Sequence, residues 1–289
     1  MLIRVPGTTA HHRTRGARSQ DWKVGVGGVP PTPGGTWLSA RPPRENTTGL
    51  DDILKRVEHA ELLWNSPLSA ARADRLLDGL DLSSAHRILD LGCGWGELLL
   101  RGLGRAPGLT GEGIDVNEGN LARGRTSAKQ RGLAERATLL DCDVTRYQGK
   151  GDRLICIGAS HAWGGTDACL RALRNHVEPN GMLLFGDGFW ARPASKTLIE
   201  IFGELALSVD DLIGRAVASG WRSVGTEIAD GDEWDEFENN WNRALETLLQ
   251  RDPDQPLAAE LGRFLAERKD QYHNGYRDVL GFAYLVLAA

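Results

Sequence analysis

The sequence is poor in cysteine and has no long apolar run. Its 289 residues include only four cysteines, and no CxxC pair or Cys/His cluster occurs among them. We therefore expect neither a zinc-type metal site nor a disulfide framework. The low cysteine usage favours a reducing cytoplasmic location. No segment approaches the roughly 18–20 apolar residues that span a membrane. The opening MLIRVPGTTA lacks the apolar region of a secretory signal, so we expect a soluble cytoplasmic protein without a membrane partner.

An excess of basic residues is also missing from most of the chain. The net charge is -5, although residues 1–45 hold seven Lys and Arg against two acidic residues, so the remainder is more acidic still. Nucleic acid is not an expected partner, because phosphate backbones bind to clustered Lys and Arg. Residues 1–48 are rich in Gly, Pro, Arg and Thr. They are predicted to be a disordered tail, because they bury too little apolar surface to offset the entropy of ordering.

Beyond this tail, helical patterns alternate with short apolar runs. Residues 49–65 and the following PLSAARADRLLDGLDL have helical spacing. Most of the apolar runs are separated by a predicted helix. The predicted strands are RILDL, LTGEGIDV, RATLLDCDV, RLICIGA, GMLLFGD, WRSVGTEIA and VLGFAYLVLA. This order predicts an α/β fold, a mostly parallel sheet with helices on both faces.

One long interval interrupts the alternation. Residues 230–278 are nearly all helical in pattern, and EWDEFENNWNRALETLL places Trp234, Phe237 and Trp241 on one helix face. We expect a helical cap here, inserted between a core over residues 49–229 and a last core strand over 279–289. The aromatic stripe has two interpretations, a wall over a bound acceptor or a face that packs on the sheet, and both remain open.

The stretch ILDLGCGWGE places Gly92, Gly94 and Gly96 between the first strand and a helix. Glycine permits positive φ angles and lets a ligand approach the backbone. The spacing is GxGxG and not the GxGxxG of dinucleotide sites, which disfavours a nicotinamide dehydrogenase. Asp115 ends the second strand, where an acid can accept both hydroxyls of a ribose. Asp143 ends the third strand, and helix capping is the alternative for either acid.

The pattern DLGCGWG, which begins at Asp90, resembles motif I of the class I S-adenosylmethionine-dependent methyltransferases. The resemblance implies a Rossmann-like sheet of seven strands with an antiparallel last strand. It also implies S-adenosylmethionine as the cofactor, S-adenosylhomocysteine as the product, and contact of Asp90 with the methionine ammonium group and of Asp143 with the adenine amino group. The cofactor-binding residues expected are Asp90, Gly92, Cys93, Gly94, Gly96, Asp115, Val116, Asn117, Asp143, Val144 and Gly158. SPLSAARADRLL, GASHAWGG, GDGFW and EWDEFE are similar to an uncharacterised bacterial branch of these enzymes.

An acceptor is expected beside the ends of the fourth and fifth strands, since ligands of open α/β sheets bind beyond the carboxyl ends. His161 is a candidate general base, because an imidazole with a pKa of about 6.5 takes up protons near neutral pH. Acceptor contact without proton transfer and a structural role stay open for it. Asp187 competes as the base or holds the cap. The expected acceptor contacts are Ser160, Trp163, Trp190, Trp234, Trp241 and Arg277.

Arg277 has a second interpretation, an ion pair with Glu238 or Asp278. Together these features predict a methyltransferase, monomeric or homodimeric, that acts on an O, N, S or C nucleophile of a small molecule. Two alternatives remain: another transfer reaction of the same cofactor, such as aminocarboxypropyl transfer, and a cofactor-binding partner protein without catalysis.

Overall fold

The alternating apolar runs form one mixed sheet in the computed structural model, which describes residues 62–252 and 257–289. Its strands are β1 Arg87–Leu91, β2 Thr110–Asp115, β3 Ala137–Asp141, β4 Gly151–Ile157, β5 Val177–Trp190, β6 Arg222–Ile228 and β7 Leu280–Ala288. They lie in the order β3-β2-β1-β4-β5-β7-β6. The strand β7 is antiparallel to β5 and β6, and the other neighbouring pairs are parallel. The predicted Rossmann-like architecture with an antiparallel last strand is confirmed.

The strands are apolar because helices cover both faces of the sheet. In β1, Ile88 belongs to one core cluster, whereas its neighbour Leu89 belongs to the other. In β7, Phe282 and Tyr284 likewise face one cluster and Ala283 the other. This alternation follows the two-residue period of a strand. Continuous apolar runs such as RILDL and VLGFAYLVLA are therefore strands buried on both sides.

Within the described residues, eight α-helices surround the sheet. They are α1 Ala70–Gly79, α2 Glu97–Arg105, α3 Glu118–Gln130, α4 Thr166–Leu173, α5 Lys196–Phe202, α6 Val209–Ala218, α7 Gly231–Arg251 and α8 Ala258–Asp270. A 3-10 helix, Ser160–Trp163, follows β4, and a π-helix, Gln271–Tyr276, precedes β7. The elements α7, α8 and the π-helix form the helical insertion expected between β6 and β7. None of the described helices is long and apolar enough to cross a membrane.

The predicted tail and residues 49–61 of the predicted first helix lie outside the described residues. Residues 62–65 are not helical. Their carbonyl groups bond to side chains instead: Leu63 O accepts from Trp95 Nε1 at 2.7 Å, and Leu62 O accepts from Arg123 Nη2 at 2.7 Å. The helix α5 was not predicted, and β5 is longer than predicted because β7 pairs with it as far as Trp190.

The helical insertion is fixed to the core at its first turn. Asp230 accepts from the backbone N–H of Glu233, and Glu233 accepts from that of Asp230, both at 3.0 Å, which is a capping box. Glu233 also accepts from Arg72 Nε and from the backbone N–H of Ser69, each at 2.9 Å. Arg72 in turn donates to Glu227 of β6 at 2.6 Å. These bonds join α1, β6 and α7 where the insertion starts.

Candidate active site

The glycine loop turns sharply from β1 into α2. Gly92, Gly94 and Gly96 have φ angles of 80°, 55° and 69°, which L side chains rarely adopt. A Cβ at Gly92 would also lie 2.4 Å from the Cβ of Ala159. The loop thus needs glycine for its backbone angles and for its close approach to the end of β4.

Asp115 holds this loop in place from the end of β2. Its Oδ2 accepts from the backbone N–H of Gly94, and its Oδ1 accepts from that of Asn117, both at 2.8 Å. Asp115 is not a helix cap, because the residue that caps α3 is Asn117, whose Oδ1 accepts from Asn120 N–H at 3.1 Å. An ionised carboxylate has about four acceptor sites, so Asp115 keeps capacity for two further donors.

Asp90 is the buried acid of the site, with a relative exposure of 4%. Burial, and then repulsion from Asp115, raise its pKa to about 8. A carboxyl group in such a place ionises readily only when a cation lies against it. Its surroundings match the ammonium group of a methionine moiety.

One cleft of about 100 Å³ joins much of the predicted cofactor set. The predicted residues that line it are Asp90, Gly92, Cys93, Gly94, Asp115 and Asn117. Glu97 lies there as well, but its carboxylate is paired with Arg131, at 3.1 and 2.6 Å, so Asp90 and Asp115 are the acids of the described lining that can serve a cationic ligand. This charge distribution fits a cationic ligand without a phosphate.

The structure adds residues to the cleft that the sequence did not reveal. Trp64, Asn65 and Ser66 line it from the segment before α1, and Asn120 lines it from α3. The spacing of Trp64 suggested one face of a helix, so no sequence signal marked this segment as part of a site. Glu97 follows the glycine loop directly, and that position was the one available hint.

The end of β4 carries His161 in the 3-10 helix. The residue is exposed, yet the protein around its ring lowers its pKa, and the backbone of Gly158 and the charge of Asp115 oppose this shift only partly. Its imidazole is therefore mostly neutral at pH 7 and able to accept a proton. The described lining of the cofactor cleft does not include it.

Asp187, which was expected to act as a base or to hold the cap, lies inside the core. It is fully buried, and its pKa is raised by burial to about 6. Oδ2 accepts from Thr166 Oγ1 at 2.7 Å, and Oδ1 accepts from the backbone N–H of Gly188 at 3.0 Å. Ser160 also bonds to it. This arrangement holds the start of α4 against β5 and leaves no carboxylate oxygen open to an acceptor.

The remaining predicted cofactor residues lie outside the described cleft lining. Asp143 is exposed, and its Oδ1 accepts from the N–H and Oγ1 of Thr145 at 2.8 and 2.7 Å. Val116 is half exposed, whereas Val144 is buried in a core cluster. Gly158 has a φ of 66° at the end of β4. A contact of these residues with the adenosine portion stays a prediction.

Two aromatic residues of the expected acceptor set, Trp234 and Trp241, pack within the helical insertion. Trp234 lies edge-on to Phe237 and Tyr276, with ring centroids 6.2 Å apart in each pair. Trp241 is only 1% exposed and lies beneath the guanidinium of Arg268, whose Cζ is 3.7 Å from its ring centroid. Trp241 is therefore buried against α8 of the same insertion in this structure, and a contact of Trp234 or Trp241 with an acceptor stays a prediction.

Other predicted acceptor contacts occupy separate places. Trp190 ends β5 and is edge-on to Phe202 of α5 at 6.3 Å. Trp163 is half buried beside the second core cluster. Arg277 donates to both carboxylate oxygens of Asp235, at 3.0 and 2.8 Å, and this pair holds the pKa of Asp235 down to about 2.

Asp235 was not among the partners expected for Arg277. Glu238 instead accepts from Arg268 Nη2 at 2.8 Å and from the Tyr276 hydroxyl at 2.7 Å. Asp278 lies 4.0 Å from Arg277. The charge of Arg277 is thus already balanced within the protein.

Comparison with known proteins agrees with the kind of ligand that the cleft indicates. A family model described as a methyltransferase domain matches residues 89–183. The uncharacterised protein YjhP of Escherichia coli (strain K12) is 28% identical over 240 residues, which span 81% of this chain and 96% of that protein. A methyltransferase of Geobacter sulfurreducens, solved with S-adenosylhomocysteine, is 25% identical, with a TM-score of 0.74 over 82% of this chain and 97% of that one. One from Thiobacillus denitrificans, also with S-adenosylhomocysteine, is 25% identical, with a TM-score of 0.73 over 85% and 100%.

The chain is a class I S-adenosylmethionine-dependent methyltransferase, and S-adenosylmethionine is its cofactor. The glycine loop, the buried Asp90 and the acid at the end of β2 fit that group, because the cleft offers carboxylates to its ammonium and hydroxyl groups and needs no phosphate ligand.

Proposed function

We propose that the protein transfers the methyl group of S-adenosylmethionine to an O, N, S or C nucleophile of a small molecule, with His161 as the base. The observation that carries this proposal is the cleft that joins the glycine loop to Asp90 and Asp115, with His161 following the end of β4, the strand next to β1. Asp90 would hold the ammonium group, and Asp115 would accept the ribose hydroxyls. The bound cofactor supplies an activated methyl group.

The task left to the protein is mainly to place the nucleophile, since aligned reactants gain several kcal/mol from proximity alone. Residues 64–66 line the cofactor cleft, and the helical insertion over residues 230–278 would shelter the acceptor from water. His161 would take the proton that a hydroxyl, thiol or ammonium nucleophile loses. An acidic chain with a cap suits a small acceptor better than a nucleic acid.

The proposal is tested by incubating the protein with S-adenosylmethionine and a panel of phenols, thiols, amines and enols, and by measuring S-adenosylhomocysteine. We expect stoichiometric release of S-adenosylhomocysteine with at least one acceptor. Release of methylthioadenosine would instead show aminocarboxypropyl transfer. Cofactor binding without any product across the panel would favour a partner protein without catalysis.

A further inference from the structure

A second and larger cavity lies between α5 and the helical insertion. Its volume is about 410 Å³, against about 100 Å³ for the cofactor cleft, and the described lining residues of the two do not overlap. The walls come from α5 and the π-helix, with Val279 between the π-helix and β7. Its lining includes Leu198, Phe202, Tyr276, Val279, Ser195 and Asn274. The size falls within the range of about 300–1,000 Å³ found for small-molecule sites.

The charged groups around this cavity are either ion-paired or exposed to solvent: Arg268 is paired with Glu238, and Asp270 is exposed. Arg268 and Asp270 are the charged residues of its described lining. Arg268 donates to the buried Glu238 at 2.8 Å and stacks on Trp241. Asp270 accepts from Asn274 Nδ2 at 2.7 Å. No cation is therefore left over for a carboxylate or phosphate, so the cavity suits an uncharged ligand with a largely apolar body.

Irregular backbone shapes one wall of the cavity. Gln271–Tyr276 form a π-helix, and Asp278 has a φ of 64°, in the left-handed region. Such conformations are less stable than regular ones, by about 1–3 kcal/mol for a strained residue, and they occur often at functional sites. The π-helix directs Tyr276 and Gly275 toward α5, and this sets the width of the cavity.

The cavity lies next to the edge of the sheet that holds the cofactor cleft. Phe202 of its wall contacts Trp190, the last residue of β5, with ring centroids 6.3 Å apart, and Tyr276 at 5.1 Å. The strand β5 is the neighbour of β4, whose end carries His161. We propose that this cavity binds the uncharged, largely apolar body of the methyl acceptor. This inference rests on the proposed function, because it assigns the acceptor of the same reaction.

Gly275 offers a way to fill the cavity. A Cβ there would meet only Leu198 Cδ2, at 4.0 Å, and the φ of Gly275 is not in the left-handed region, so Gly275→Phe introduces a ring without a backbone clash. Gly262→Phe is the matched control. It lies on α8 of the same insertion, does not line the cavity, and a Cβ there meets nothing within 4 Å.

The probe is Nile red, an uncharged apolar dye, titrated against each variant and followed by fluorescence. We expect saturable binding to the wild type and to Gly262→Phe, and at least about tenfold weaker binding to Gly275→Phe, because the added ring fills the site. The KM of any acceptor found by S-adenosylhomocysteine release should rise about tenfold in Gly275→Phe, while calorimetry shows unchanged S-adenosylhomocysteine affinity.

Three outcomes would overturn the inference: equal dye binding by Gly275→Phe and the wild type, equal loss in both variants, or lost dye binding with an unchanged acceptor KM. Should Gly275→Phe melt early in a thermal scan, Thr197→Trp takes its place, since Thr197 is an exposed residue on the rim of the cavity. A panel without any methylated product would count against the proposed function, whereas the dye titration would still report whether the cavity binds uncharged ligands.

Discussion

The raised pKa of Asp90 predicts that cofactor affinity depends on pH. The carboxyl must be ionised to hold an ammonium group, and the α-amino group of the ligand must be protonated. The pKa is about 8 for Asp90 and about 8 for an α-amino group. The product of the ionised fraction of Asp90 and the protonated fraction of the ligand amine therefore falls about 25-fold from pH 8 to pH 6. S-adenosylhomocysteine affinity should fall by the same factor, which corresponds to about 1.9 kcal/mol.

Calorimetry with S-adenosylhomocysteine at pH 6, 7 and 8, in two buffers of different ionisation enthalpy, measures the affinity and the number of protons released on binding. At pH 6 we expect release of about one proton for each ligand bound, because Asp90 starts protonated and ends ionised. Asp90→Asn should bind weakly with no such release. Asp211→Asn, an Asp that does not line the cleft, should behave like the wild type. A flat affinity between pH 6 and 8 in the wild type would refute the reasoning.

The same shift has a consequence for stability. Burial raises the folded pKa of Asp90 above the unfolded value of about 3.9, so the folded protein binds this proton more tightly than the unfolded chain. Asp90 therefore lowers the free energy of unfolding as the pH rises from about 4 towards 8. Asp90→Asn removes this dependence and should melt higher, relative to wild type, at pH 8 than at pH 5. Asp90→Asn should therefore bind S-adenosylhomocysteine weakly even though it remains folded.

Three other predictions concern the residues assigned to the cofactor and to proton transfer. Asp115→Ala should weaken S-adenosylhomocysteine binding by about 2–4 kcal/mol in calorimetry, through loss of charged hydrogen bonds; unchanged affinity would exclude the ribose contact. Gly92→Ala should reduce both thermal stability and cofactor affinity, because its Cβ would lie 2.4 Å from that of Ala159. Adding Ala159→Gly should restore part of the loss, and no recovery would point to the φ angle alone. His161→Ala should lower kcat with little change in cofactor affinity, and an unchanged kcat would place the base elsewhere.

The sheet and the glycine loop were predictable because local patterns encode them. Apolar runs such as RILDL at β1 are buried on both faces wherever a parallel sheet is covered by helices. Gly92 and Asp115 stand at the ends of neighbouring strands, and the geometry of such sheets brings those ends together. The cleft could therefore be inferred from order along the chain, without knowledge of side-chain contacts.

The partners of single charged groups could not be predicted in the same way. Arg277 has several acids within reach along the sequence, and its pairing with Asp235 depends on how the π-helix rotates the chain before β7. Asp187 ends the apolar run GMLLFGD much as Asp115 ends its own run, yet β5 continues to Trp190, and Thr166 of α4 bonds to the Asp187 carboxylate. Both outcomes are set by the packing of an adjacent element, which a strand-end pattern does not specify.

The segment 62–66 links the cofactor cleft to the helical insertion. Trp64 and Ser66 line the cleft, and three residues later the backbone N–H of Ser69 donates to Glu233, at the start of α7. A cleft of about 100 Å³ is smaller than the roughly 300–1,000 Å³ of sites that enclose ligands of cofactor size. The bonds of this segment to Trp95 and Arg123 fix its position beside the cleft in this structure. The same short stretch thus lines the cofactor cleft and leads directly into the bonds that anchor the helical insertion to the core.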